Sequence, residues 1–342
     1  MSLTAPPVTL FTGQWVDLPL EEVAALAAGW GYDGLELACS GEHLDVWRAA
    51  EDANYLASRK DILDRHGLKL FAISNHLAGQ AVCDDPIDFR HQAILRPRTW
   101  GDGEAEAVRR RAAEEMALTA RVARQLGVDI VVGFTGSKIW PYVAMFPPVP
   151  GHVIDEGYED FARRWRPILN VFRNEGVRFA HEVHPGEIAY DYWSSVRALE
   201  ALDHDPAFGF NWDPSHMMWQ NIDPVSFIHD FRQRIYHVDC KDTRLKPKNG
   251  RYGVLGSHLP WGDARRGWDF VSVGHGDVPW EDAFRALRSA GYAGPISIEW
   301  EDAGMDRHHG AADALRYVKS LLWKLPARGF DAAFAENAAT DL

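Results

Sequence analysis

Four β-like segments in the second half of the chain each carry an acid at or near their end. They are residues 178–184 with Glu182, 208–213 with Asp213, 235–239 with Asp239 and 295–299 with Glu299. Acids are poor strand formers and are rarely buried unless paired or bound to a metal. One such acid carries no message. Four in succession, separated by helical patterns, point to one hard-cation site at the mouth of a parallel barrel. Ligation by the oxygens of Glu182, Asp213, Asp239 and Glu299 favours a single Mg²⁺ or Mn²⁺ ion over zinc. The competing reading is that each acid caps a following helix or pairs with a nearby Arg or Lys.

Two further residues sit close to these acids in sequence. His216 follows Asp213 by three residues, and a turn there brings both side chains to one pocket. Arg244 follows Asp239 by five, and a cation beside a polyol can bind hydroxyls or an enediolate oxygen. A satisfied loop histidine and a surface salt bridge are the plainer readings of these two.

The elements that must position these residues read as an alternating pattern. Candidate strands lie at 8–12, 34–39, 68–75, 129–134, 177–184, 208–213, 235–241 and 296–300, each bounded by Gly, Pro, Asn or Asp. Between them are amphipathic helical stretches, among them 20–29, 104–126, 158–174 and 279–290. Strands alternating with helices mean right-handed βαβ units, and eight of them predict an α/β fold, a single-domain (β/α)8 TIM barrel over residues 1–342. The phrases Gly31-Tyr32-Asp33-Gly34 and Gly291-Tyr292-Ala293-Gly294 share one grammar, in which a helix ends at Gly and the chain turns into a strand. Long loops at 77–102, 136–157 and 243–276 all follow predicted strands, which places them on the C-terminal face. The polar, Ala-rich tail after about Phe330 is expected to be mobile or to cover a neighbour.

The pattern Glu182…Asp213-x-x-His216…His237-x-Asp239…Arg244…Glu299 resembles the xylose-isomerase-like TIM-barrel superfamily of sugar isomerases, epimerases and inosose dehydratases. The resemblance covers about residues 8–325; its motifs are specific for fold and metal site and weak for substrate. It implies that Glu182, Asp213 and Glu299 bind a divalent ion, that Glu182 and Glu299 also exchange protons with substrate, and that His216 and Arg244 hold substrate oxygens. The chain departs from the family at one point. Where the family usually has a metal-binding histidine in His-x-His, this chain has Asp239 in His237-Val238-Asp239. His237 and Asp239 share a strand face, so Asp239 is the expected ligand and His237 the fallback. Other polar groups are expected to line the mouth. Glu36, His76, His184 and His275 are candidate substrate contacts, with Asn75, Thr135, Ser137 and His258 near them; His184 is in register with Glu182.

The resemblance implies a divalent-metal-dependent isomerase or epimerase acting on a keto sugar or cyclitol through an enediolate. The closest rival is a dehydratase or lyase on 3-keto sugars or inososes. An endonuclease-IV-like DNA-repair barrel needs a histidine-rich zinc cluster that is missing here, and the net charge of −13 disfavours a nucleic-acid surface. A non-catalytic sugar-binding subunit is the third class. Three widely spaced cysteines give no disulfide framework, so a reducing cytoplasm is expected. The N-terminal residues lack a basic region and a long apolar run, so neither a signal peptide nor a membrane span is expected. No phosphate loop and no Gly-x-Ser-x-Gly elbow appears. A small-molecule substrate and a homo-oligomer are the expected partners.

Overall fold

The computed structural model describes residues 5–143, 146–246, 251 and 253–322; the tail after Phe330 lies outside them. Among the described residues ten strands form in chain order: β1 (Val8–Phe11), β2 (Gly34–Ala38), β3 (Lys69–Ser74), β4 (Ile130–Gly133), β5 (Arg178–Glu182), β6 (Phe208–Trp212), β7 (Ile235–Cys240), β8 (Asp242–Leu245), β9 (Trp268–Val271) and β10 (Ile296–Ile298). Eight of them close a barrel in the order β1-β10-β7-β6-β5-β4-β3-β2, and every pairing in it is parallel. This is the eightfold βα barrel that the alternating pattern predicts. The remaining two, β8 and β9, pair antiparallel as a ribbon beyond the end of β7.

Period-two alternation sorts the side chains. Phe179, Phe208, Phe210, Trp212, Val238, Cys240 and Ile298 join the apolar layer between barrel and helices. The residues alternating with them, among them Glu182, Asn211, Asp239 and Ser297, contact one another across the barrel interior. The turns that launch the strands use glycine for a backbone reason. Gly31 and Gly291 have φ of 97° and 82°, a left-handed conformation that is strained for residues with a side chain. A Cβ on Gly34 would lie 2.1 Å from the carbonyl oxygen of Lys69, so β2 and β3 approach there only because the side chain is missing.

Two expectations about local structure are refined. The loop expected at 77–102 holds three short helices, His76–Gln80, Phe89–Ile94 and Pro97–Trp100. Asn75 and Asp88 cap the first two through side-chain oxygens, and Pro97 starts the third. The helix expected from Tyr158 begins earlier, spanning Gly151–Glu175. No described helix is long and apolar enough to cross a membrane.

Candidate metal and substrate site

The C-terminal ends of β5, β6, β7 and β10 bring the acids together. Oxygens of Glu182, Asp239 and Glu299 lie within 4.8 Å of one another, all from buried residues. Asp213 joins through His216, whose Nε2 is 3.1 Å from Asp213 Oδ2 and 3.3 Å from Glu182 Oε1. Neighbouring polar groups hold each acid. Glu182 Oε2 lies 2.9 Å from His76 Nε2. Asp213 Oδ1 accepts from Ser215 N at 2.8 Å, the cap that starts helix Pro214–Met218. Asp239 Oδ2 accepts from Asn211 Nδ2 at 2.6 Å, and Glu299 Oε1 from Lys241 Nζ at 3.0 Å. Glu299 Oε2 is buried and has no hydrogen-bond partner, while Asp213 Oδ2 and Asp239 Oδ1 each meet only an imidazole, His216 at 3.1 Å and His237 at 3.4 Å. A buried unpaired carboxylate oxygen is costly unless something else meets it. That oxygen, together with an oxygen-rich donor set, fits a hard divalent ion.

The electrostatics are divided. Burial would raise the Glu182 carboxyl, but His216 and His76 beside it hold it well below the usual carboxylate range. Burial pushes Glu299 well above the usual carboxylate range; Lys241 opposes the rise, and Glu182, Glu301 and Asp239 add to it. Burial and the Glu36 carboxylate raise Asp239 to about 7. Lys241 is itself buried, yet Glu299 and Glu301, the latter at 3.2 Å, keep its ammonium charged. A second cluster lies beneath the first. His237 Nε2 is 2.7 Å from Glu36 Oε2 and 3.4 Å from Asp239 Oδ1. Ser297 donates to Glu36 Oε2 at 2.6 Å, and Ser74 donates to Oε1. Glu36 thus sits one layer below the acids, held by His237, Ser297 and Ser74, and with His237 and Asp239 it forms a second group with metal-ligand spacing.

The other expected contacts divide in two. His76 and His184 wall the site around Phe134, with ring centroids 4.7 and 4.8 Å away, and His184 packs on His216 at 3.9 Å. Glu182, His184 and His216 form a third group with metal-ligand spacing. Arg244 is exposed on the ribbon, where it donates to the carbonyl of His275. The His275 ring lies out on the surface, paired with Asp313 at 2.9 Å. Residues of the site without a role in the sequence pattern include Lys241, Glu301 and Asn211. Period two finds them. Lys241 is two residues after Asp239, Glu301 two after Glu299 and Asn211 two before Asp213.

A closed parallel barrel with buried acids gathered at the C-terminal ends of its strands defines an α/β barrel of the kind that hosts small-molecule chemistry at that face. More narrowly, residues 24–321 match the xylose isomerase-like TIM barrel family, and the chain belongs to it. It is 26% identical to the uncharacterized protein YfiH of Bacillus subtilis over 328 residues, 89% of this chain and 96% of that one. The fold is similar to that of the 3-keto-D-glucoside 4-epimerase YcjR of E. coli, with a TM-score of 0.65 and 15% identity over 92% of this chain and 99% of that one. It is also similar to the probable 3-DHS dehydratase AsbF of Bacillus anthracis, with a TM-score of 0.63 and 18% identity over 92% and 98% of the two chains. These two likenesses are of fold.

Proposed function

We propose that the chain is a divalent-metal-dependent isomerase or epimerase that moves a proton at the carbon beside the carbonyl of a keto sugar or cyclitol. The observation that carries this reading is the convergence of Glu182, Asp239 and Glu299 within 4.8 Å, with Glu299 Oε2 left unpartnered. Glu182, Asp213, Asp239 and Glu299 would hold the ion, Mg²⁺ or Mn²⁺. A bound divalent ion polarises a carbonyl and gathers vicinal oxygens. The chain's own residues do the rest. Glu182 takes the proton from the carbon, with His76 and His216 holding its carboxylate in place. Glu299 returns a proton to the same or the neighbouring carbon, and Lys241 fixes its orientation. His184 and His216 bind hydroxyls, and their packing against Phe134 and Phe270 excludes water from that side.

A second reading has its own support. Lys241 places a buried ammonium 3.0 Å from Glu299, beside the same carboxylates. A cation there can meet a departing hydroxyl, which turns the same proton abstraction into loss of water from a 3-keto sugar or inosose. The test is a panel of keto sugars and inososes in D₂O with added Mn²⁺, followed by mass spectrometry and NMR. Deuterium at the carbon beside the carbonyl with conserved carbon skeleton and oxygen count supports the isomerase or epimerase. Loss of water supports the dehydratase. No exchange and no elimination with any member, in a metal-loaded chain, refutes both.

A further inference from the structure

One wall of the site hangs on a buried carboxyl group that lies outside the site. His76, Phe134 and His184 follow the ends of β3, β4 and β5. Their rings pack in a row, with Phe134 4.7 Å from His76 and 4.8 Å from His184. All three stand beyond their strands, so the barrel pairing alone does not fix the row. Glu187 ties the three loops together. It lies three residues after His184, in a turn where Glu187 N donates to the carbonyl of His184 at 3.1 Å and His184 N to that of Ala189 at 3.2 Å. Its Oε2 crosses to the loop after β4 and accepts from the amides of Thr135 and Gly136, both at 2.7 Å, directly after Phe134. The next residue, Ser137, donates its amide to Asp84 Oδ1 at 2.9 Å, and Asp84 belongs to the loop after β3. Asp84 accepts from Gln80 Nε2 at 2.9 and 3.0 Å, and Gln80 ends the short helix that His76 begins. The loops meet backbone to backbone. A Cβ on Gly79 would lie 2.1 Å from the carbonyl oxygen of Phe134, and one on Gly136 2.1 Å from that of Gln80.

The knot is responsive as well as tight. Consecutive amides aimed at one oxygen suit an anion. The other oxygen, Oε1, is buried and has no hydrogen-bond partner, which suits a neutral carboxyl. Burial, and then Asp84, raise Glu187 to about 8. The amides draw the charge, and the burial and the neighbouring acid oppose it. The other titratable groups packed here stand further along. Cys83 senses Asp160, Arg164, Asp84 and Glu187, and His91 Nε2 is 3.0 Å from Asp84 Oδ2. Arg109 donates to the Asp84 carbonyl at 2.7 Å, and Tyr158 donates to that of Ile188 at 3.4 Å.

We infer that Glu187 is a positioning residue: its carboxyl clasps the loop after β5 to the loop after β4, which Asp84 ties in turn to the loop after β3, and so holds His76, Phe134 and His184 as one wall against the substrate. The identity of that substrate rests on the sugar reading of the carboxylate site; the clasp itself is a property of the free chain. Hydrogen exchange read by mass spectrometry on the full chain tests it without substrate. Glu187→Leu removes the acceptor, and Glu187→Gln keeps an acceptor oxygen without the charge. At pH 7, Glu187→Leu is expected to speed exchange about tenfold or more in peptides covering 76–81, 134–137 and 184–189, as loss of the acceptor for two amides implies. Exchange at 296–298 and 307–321 stays at the parent rate, and Glu187→Gln stays within about twofold of the parent throughout. With Mn²⁺ and a keto sugar that takes up deuterium, Glu187→Leu raises KM about tenfold and lowers kcat less than about threefold, because a binding wall loosens while Glu182 and Glu299 stay in place. Above pH 8 the parent carboxyl ionises beside Asp84, so the ratio of its KM to that of Glu187→Gln should rise about threefold or more between pH 7 and 9. Unchanged exchange in Glu187→Leu, loosening spread over the whole barrel, kcat falling as far as KM rises, or a flat KM ratio overturns the proposal. If Glu187→Leu does not fold, the parent and Glu187→Gln decide it at pH 9: faster exchange at 134–137 in the parent supports the clasp, and equal exchange overturns it. The two readings fail separately. Local loosening in a chain that moves deuterium into no keto sugar leaves the clasp standing and removes the isomerase. Deuterium uptake with no local loosening does the reverse.

Discussion

His237→Gln is expected to destabilise the metal-free chain far more than a change at an ordinary polar position. His237 is fully buried, with its Nε2 2.7 Å from Glu36 and 3.4 Å from Asp239. Burial alone would lower the imidazole, but the Glu36 carboxylate and then Asp239 push it up to about 10. It is therefore a cation locked between two acids. Removing one partner of a buried pair leaves an uncompensated charge and costs about 3–5 kcal/mol. Unfolding entropy of roughly 2.1 cal/mol/K per residue gives about 0.7 kcal/mol/K for a chain of 342 residues. The expected fall in Tm is then about 4–7 °C, measured by calorimetry after chelation. Glu36→Gln/His237→Gln removes both charges and is expected to recover most of the loss, because Ser74 and Ser297 still bond the new side chain.

The same pair fixes a pH dependence. The ordinary imidazole value is near 6.5, and the folded chain holds the proton until about pH 10. The contribution is complete below about 6.5, declines above that, and is gone once pH passes about 10. The Tm gap between parent and His237→Gln should therefore be widest near pH 6 and shrink steadily towards pH 10. A variant that melts within about 1 °C of the parent at pH 6, or a loss equally large in the Glu36→Gln background, refutes the ion-pair argument.

Glu182→Gln and Glu299→Gln are each expected to lower kcat by about 10²-fold or more, a larger effect than on binding, because Gln keeps the oxygen but carries no exchangeable acid proton; near-normal rates in both move the acid–base role to His184. Asp239→Asn is expected to weaken the ion in a metal titration, and Asp239→His to shift preference towards Co²⁺ or Zn²⁺. If instead His237→Ala empties the site and Asp239→Asn leaves it full, His237 is the ligand on β7. Glu187 is buried against the Thr135 and Gly136 amides, and burial with the nearby Asp84 raises it to about 8. Its neutral form favours the fold, so that share of stability is complete below about 4.5 and is lost as pH rises through about 8. Glu187→Gln should thus match the parent in Tm near pH 5 and exceed it at pH 9, and equal melting at both values counts against this.

The barrel was legible because its strands obey two patterns at once. Apolar residues such as Phe208, Phe210 and Trp212 pack outward, and the polar residues alternating with them face the interior. The acids stood out because they break the composition expected of a strand. Lys241 was harder to see. It follows Asp239 on the same face, but a lysine at a strand end also reads as solvated, and only its contacts with Glu299 and Glu301 at 3.0 and 3.2 Å show otherwise. Arg244 lies three residues on, after the chain has turned into the ribbon, and its side chain is exposed. The ribbon is not legible in the sequence because Asp242-Thr243-Arg244-Leu245 has no apolar alternation; it is held by backbone pairing with β9 and by Asp242. That carboxylate accepts from Gly274 N at 2.9 Å and Trp280 Nε1 at 2.9 Å, long-range contacts that no local pattern announces. The start of helix Gly151–Glu175 was hidden for a local reason: Pro150 precedes it and offers no side-chain cap.

The acid at position 239 makes sense in the charge pattern of its own strand. On β5, β6 and β10 the inward residues at the mouth are Glu182, Asp213 and Glu299. A neutral histidine on β7 would add no charge to these. Asp239 adds one, and burial beside Glu36 makes that charge costly. The strand supplies the balance itself. Below Asp239 stands His237, neutralised by Glu36, and above it stands Lys241, shared between Glu299 and Glu301. The face of β7 therefore runs cation, anion, cation, against acids on its neighbours. Lys241 takes up part of the negative charge of the mouth, where oxygens of Glu182, Asp239 and Glu299 lie within 4.8 Å of one another. The swap of histidine for aspartate and the buried lysine two residues on are in this view one arrangement. The second cation offsets the charge of a fourth acid at the mouth.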